Sequence, residues 1–202
     1  MHMLEEQLLQ KTKMTPKDFF LYFGAMLTLY ASAVSLITLW FGYINRLFPD
    51  ALTGYYDPFS SQIRLSMASL FILFPTYLVL TRVLNQAIRR EPNRKTLSIR
   101  KWLIYLTLFA AGATIVIDLI TLLNTFLGGE LTTRFILKVA VVFAVIGSVF
   151  FYYFHDMKGT WERKEKMSMA IGLIAGVLAF GSIISGFFII GSPQAQRLVR
   201  FD

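Results

Sequence analysis

Residues 102–154 read WLIYLTLFAAGATIVIDLITLLNTFLGGELTTRFILKVAVVFAVIGSVFFYYF, two long apolar runs joined at Gly128-Gly129. Each run exceeds the ~20 residues with which a helix crosses a bilayer core. The glycine pair interrupts the pattern between them, so the two runs read as an antiparallel helical hairpin. Each run also holds one ionisable residue well inside it, Asp118 in 102–127 and Lys138 in 131–154. At a rise of ~1.5 Å per residue, Asp118 lies roughly 15 Å below Gly128 and Lys138 roughly 13.5 Å below Gly129. The hairpin therefore brings them level, and charge at that depth calls for a partner or a function.

Outward from the hairpin, three more runs reach spanning length, giving spans at 19–43, 65–84, 102–127, 131–154 and 167–191. A chain of 202 residues with 55% hydrophobic content has more apolar surface than one small soluble core can hide, so lipid must cover the rest. The runs are continuous, whereas barrel strands would alternate in polarity about every second residue over ~10 residues. The expected fold is all-α, a polytopic bundle of five transmembrane helices.

The net charge of +8 is distributed as topology requires. Fourteen of the twenty basic residues fall in three segments: Lys11, Lys13 and Lys17; Arg82, Arg89, Arg90, Arg94, Lys95, Arg100 and Lys101; and Lys158, Arg163, Lys164 and Lys166. These alternate with poorer segments, which puts the N-terminus inside and the C-terminus outside. Residues 1–17 are then a cytoplasmic segment, 18–192 the membrane domain and 193–202 an extracytoplasmic stub. Arg89, Arg90, Arg94 and Lys95 form a cytoplasmic basic cluster suited to anionic lipid. With no interleaved aromatics or reader fold, nucleic acid is not an expected partner. A polar stretch containing Glu5 and Glu6 precedes an apolar run too long for a signal core, so span one is expected to stay in the protein.

Along the chain, Thr15-Pro16-Lys17-Asp18 carries the marks of a helix start. In span one Leu21, Ala25, Thr28, Ser32, Ser35, Leu39 and Gly42 recur at steps of four and three, a small-residue seam for helix contacts. Pro75 should kink span two. Span three places Thr107, Ala111, Thr114, Asp118, Thr121 and Thr125 on one face, and span four answers with Arg134, Lys138, Val141, Val145, Ser148, Tyr152 and His155. Glu130, Arg134 and Lys138 make a charge ladder descending from the outer surface. In span five Gly172, Gly176, Ser182 and Gly186 lie on a small-residue seam for close packing or dimerisation. Spans one and five are expected to meet the hairpin.

Chemistry is sparse. There is no cysteine, and His155 is the one histidine near a span, so haem, zinc and thiol chemistry have no ligand set. Asp118 is alone at its depth, which excludes a paired-carboxylate protease. Ser148 and His155 are seven residues apart on one helix, roughly 10 Å, beyond hydrogen-bond reach. Neither enzymatic activity nor a cofactor or metal is expected. Asp118 and Lys138 then have two readings: a structural pair that fixes the hairpin's register, or part of a transport path for protons or small solutes.

The stretches Ile117-Asp118-Leu119-Ile120, Phe126-Leu127-Gly128-Gly129-Glu130-Leu131-Thr132 and Arg134-Phe135 through Lys138 resemble a bacterial multi-pass membrane domain family of unknown function. The likeness extends to Leu29-Tyr30-Ala31-Ser32-Ala33-Val34-Ser35, Phe48-Pro49-Asp50, 102–109 and Tyr152-Tyr153 before Asp156. It implies the bacterial inner (cytoplasmic) membrane and five-span topology but no mechanism. In that family an extracytoplasmic extension often follows span five, so a truncated chain is expected here. From the residues and the resemblance together, a membrane scaffold or assembly anchor is expected, partnered by lipid and by a second copy or another membrane protein. The competing expectation is a transport component using Asp118 and Lys138.

Overall fold

Thr15 and Asp18 start the first helix as their spacing requires. Asp18 donates its backbone N–H to the Thr15 hydroxyl at 3.2 Å, while its carboxylate accepts from the Thr15 backbone N–H at 3.2 Å, a reciprocal capping box. The computed structural model describes residues 14–48, 61–91, 94, 97–129, 131–163 and 165–190. Its elements are α1 (Pro16–Leu47), α2 (Ser61–Arg90), α3 (Ser98–Leu127), α4 (Thr133–Met157), the single turn α5 (Thr160–Arg163) and α6 (Glu165–Ile190). Five of them, all but α5, are long and apolar enough to cross a membrane. The chain is a multi-pass membrane protein.

Most of the helices outrun the apolar segments read from the sequence. α1 extends that reading at both ends, and α2 begins four residues before it and ends six after. Apolar composition marks where lipid ends, whereas a helix continues as long as its backbone is hydrogen-bonded. The surplus turns project polar side chains beyond the hydrocarbon. α2 also runs unbroken through Pro75.

α1 is the hub, in contact with α2, α3, α4 and α6. Its predicted seam is its packed face: Ala25, Thr28, Ser32, Leu39 and Gly42 are buried, Leu39 completely. Small side chains let neighbouring backbones approach, which in lipid matters more than hydrophobicity because the solvent is equally apolar. Two apolar clusters divide the bundle by depth. Towards the start of α1, Tyr22, Ala25 and Met26 pack with Leu84, Leu97, Leu103, Ile104 and Tyr153, joining α1 to α2, α3 and α4. Towards its end, Leu39 and Tyr43 pack with Ile63, Leu70 and Ile183, joining α1 to α2 and α6.

Span one therefore meets the α3–α4 hairpin as expected, whereas span five touches only the α4 arm of it, near the end of α4. α6 lies against α2 and α1, because its bulky contacts are with Phe74 and Tyr43, and it reaches α4 through a Tyr152–Ser168 hydroxyl contact of 3.3 Å. At the hairpin turn, Gly129 adopts φ +72°, which disfavours any residue with a Cβ. Gly128 caps α3 at φ −73° and needs no such freedom.

Candidate functional site

Among the described residues, the densest polar assembly lies where the start of α1, the α2–α3 connection, the start of α3 and the end of α4 gather. Asp18, at the first turn of α1, is buried, and its carboxylate receives the guanidinium of Arg94 from the α2–α3 connection. Arg94 also donates from Nε to Glu91 at 2.8 Å. The Glu91 hydrogen bond and the charge of Asp18 both raise Arg94 above its ordinary value, so it stays cationic. Next to this pair, Arg100 on the first turn of α3 donates from Nη2 to both carboxylate oxygens of Asp156 at the end of α4, at 2.9 and 3.0 Å. Together the two pairs fasten the start of α1, the α2–α3 connection, the start of α3 and the end of α4 to one another.

Hydroxyl and aromatic groups continue this rim. Tyr77 of α2 and Tyr153 of α4 bring their hydroxyls within 3.4 Å. Trp161 of α5 donates to the Tyr152 carbonyl at 2.9 Å, stacks on the Tyr152 ring at 5.3 Å and flanks His155, so α5 folds back onto α4. Deeper in the bundle, the Tyr30 and Thr107 hydroxyls are 2.6 Å apart and tie α1 to α3.

The expected Asp118–Lys138 pair does not form. Asp118 leaves Oδ2 buried without a hydrogen-bond partner, and the Lys138 ammonium lies 5.4 Å from the centre of the Phe41 ring on α1. The reason is register. Thr132 is extended and caps α4, so the helix starts at Thr133, two residues later than the apolar run. Lys138 is then five residues, about 7.5 Å, into α4, whereas Asp118 is nine residues, about 13.5 Å, from the end of α3. Past Ala111, moreover, α3 contributes no buried residue, so its second half lies at the edge of the bundle.

The other sequence-derived candidates divide. Arg134 is half-buried and engaged, while Glu130 lies outside the described residues, so the outer ladder is seen from one side. In the basic cluster, Arg90 is exposed and Arg89 is exposed but engaged. Arg94 is turned inward on Asp18, and Lys95 lies outside the described residues together with 1–13, 49–60 and 191–202. In α6 the seam splits by depth. Ser182 and Gly186 are buried, Ser182 accepting from the Trp40 indole N–H at 3.0 Å and its carbonyl from the Tyr43 hydroxyl at 2.6 Å. A Cβ on Gly172 would meet nothing within 4 Å, and one on Gly176 would only touch Phe74 at 4.0 Å. On α4, the buried residues are Val139 and Tyr153, one position along from the expected face, and Ser148 is exposed and bonded to its own helix at Ala144.

The rim pairs escaped the sequence reading, although a signal for them exists. Glu91 lies inside one basic segment and Asp18 and Asp156 flank the other two, and an acid kept where topology selects for lysine and arginine is a candidate for a specific partner.

Residues 18–153 match the model of a family described as a domain of unknown function, DUF5671. The chain belongs to this family. The DUF5671 match begins at Asp18 and ends at Tyr153, so it takes in nearly all of the first four spans, the Asp18–Arg94 pair and Asp118. Asp156 and the whole of α6 lie beyond it. No curated protein and no solved structure matches the chain.

Proposed function

We propose that this DUF5671 chain is a non-enzymatic scaffold or assembly anchor of a bacterial cytoplasmic membrane, N-terminus inside and C-terminus outside. It works by contact with a second copy or another membrane protein. The observation that carries this reading is the inner rim: Arg94 and Arg100, from the most basic connection, are each held by an acid of another element. Side chains arranged in this way fix helix ends relative to one another, which suits a part that holds position. Arg90 and Lys101 remain exposed on the same side, available to anionic lipid. The concentration of basic residues on this side is also what supports the inside assignment.

A second reading, a proton-linked or small-solute transport component, is favoured by one observation, the unpartnered Oδ2 of Asp118 at membrane depth. The readings part in reconstituted liposomes under a pH gradient followed with an internal pH dye. The scaffold reading predicts proton entry no faster than in empty vesicles. Entry well above that level, abolished by Asp118→Asn or Lys138→Met, would overturn it in favour of transport.

A further inference from the structure

We propose that Asp118 is an intramembrane proton-binding site, carried as the neutral carboxylic acid and open to lipid-soluble reagents from the hydrocarbon side. The inference goes beyond the scaffold reading, and it shares a residue with the transport reading without requiring flux. It starts from geometry. Oδ2 of Asp118 is buried and receives no hydrogen bond, and the cation expected to neutralise it rests over Phe41 instead.

Among the described residues, the helices packed against α3 offer no substitute counter-charge at that level. α3 holds no other charged residue between Lys101 and its end. α1 holds none between Asp18 and Arg46, and the tyrosine hydroxyls on its outer two thirds are engaged, Tyr30 with Thr107 and Tyr43 with the Ser182 carbonyl. From α4 the charged groups are Lys138 and, one turn further out, Arg134, with His155 and Asp156 at the far end of that helix. An ionised carboxylate without hydrogen-bond donors in hydrocarbon is far costlier than the neutral acid, so the proton takes the place of the missing counter-ion.

The same geometry leaves the group reachable from lipid. The neighbours Ile117 and Ile120 are 63% and 62% exposed, and Asp118 as a whole is only half-buried. An open apolar groove of about 430 Å³, lined by Leu119, Leu122, Leu123, Phe126 and Leu131, begins beside it. A hydrophobic carbodiimide dissolved in the bilayer can therefore approach the acid. The carboxyl O–H adds across one C=N bond, its proton passing to nitrogen and its oxygen bonding to the central carbon. Acyl transfer from that oxygen to nitrogen then gives a stable N-acylurea, an addition with no leaving group and no redox change.

The test uses the full chain in lipid nanodiscs, treated separately with dicyclohexylcarbodiimide and with a water-soluble carbodiimide, followed by peptide mass mapping across a pH series. The expected result is an adduct on the α3 peptide at Asp118 with the lipid-soluble reagent only. It should fall at least tenfold from the acidic to the alkaline end of the series, disappear in Asp118→Asn and persist in Asp118→Glu. An unmodified Asp118 in a mapped α3 peptide would overturn the proposal, as would labelling by the water-soluble reagent. Wild-type mapping decides the matter even if Asp118→Asn does not fold. Labelling without proton entry into liposomes keeps the site and removes transport. Proton entry without labelling removes the site and leaves transport to another route.

Discussion

Gly186 and Asp118 represent opposite outcomes for a residue in lipid, one crowded by Tyr43 and Met67 and the other with a carboxylate oxygen left without a partner. A Cβ at Gly186 would lie 2.5 Å from the Tyr43 hydroxyl and 2.8 Å from the end of Met67. Met67 can swing aside, but Tyr43 is held by its hydrogen bond to the Ser182 carbonyl. Gly186→Ala is therefore expected to destabilise the bundle by about 1–3 kcal/mol in a detergent-denaturation titration, and Gly172→Ala, facing open space, to leave it unchanged within about 0.5 kcal/mol. At Asp118 a double-mutant cycle is decisive. With no pair formed, Asp118→Asn and Lys138→Met should act independently, coupling by less than about 0.5 kcal/mol; coupling of several-fold that size would mean that they meet after all. Both charges are visible in the sequence, but their levels are not, because depth counted from Gly128 and Gly129 takes every residue between the turn and Lys138 as helical. The Thr132 cap delays the start of α4 to Thr133, which leaves Lys138 only five residues into its helix and separates the two.

The helices show a related limit. Hydropathy locates the part of each helix inside lipid and says nothing of the turns beyond it, yet those turns carry Asp18, Arg90, Arg100 and Asp156. The seam of α1 was legible because a steric requirement, small side chains at steps of three and four, leaves a periodic trace. The rim was not, since ion pairs between residues 76 and 56 positions apart leave none. Removing one partner of the Asp18–Arg94 pair strands a buried carboxylate, so Arg94→Ala should cost about 3 kcal/mol. Asp18→Asn combined with Arg94→Ala should recover part of that loss. The more exposed Arg100–Asp156 pair should show a coupling of about 1 kcal/mol, weakened by added salt. Thermal unfolding of the purified variants in one detergent measures all of these on a common scale.

For the whole molecule, the five-helix architecture followed from composition and run length, because a lipid-facing surface imposes the same demand on every exposed side chain. The arrangement of the helices was less accessible. The small-residue seam of α6 marks a face in the sequence but not the helices that it meets; its place against α1 and α2 is set by Trp40, Tyr43 and Phe74 meeting Ser182, Gly186 and Phe180. Topology can be read directly because the chain has no cysteine. Single cysteines introduced at Lys101 and at Lys158 are expected to react with a membrane-impermeant maleimide only after the cells are permeabilised, and one near residue 195 in intact spheroplasts. The scaffold account itself is tested most directly by the mass of the particle extracted from its own membrane in polymer nanodiscs, with no detergent step. The account predicts one chain joined in a fixed ratio by a second copy or by another membrane protein. A particle holding a single chain and lipid alone would contradict it.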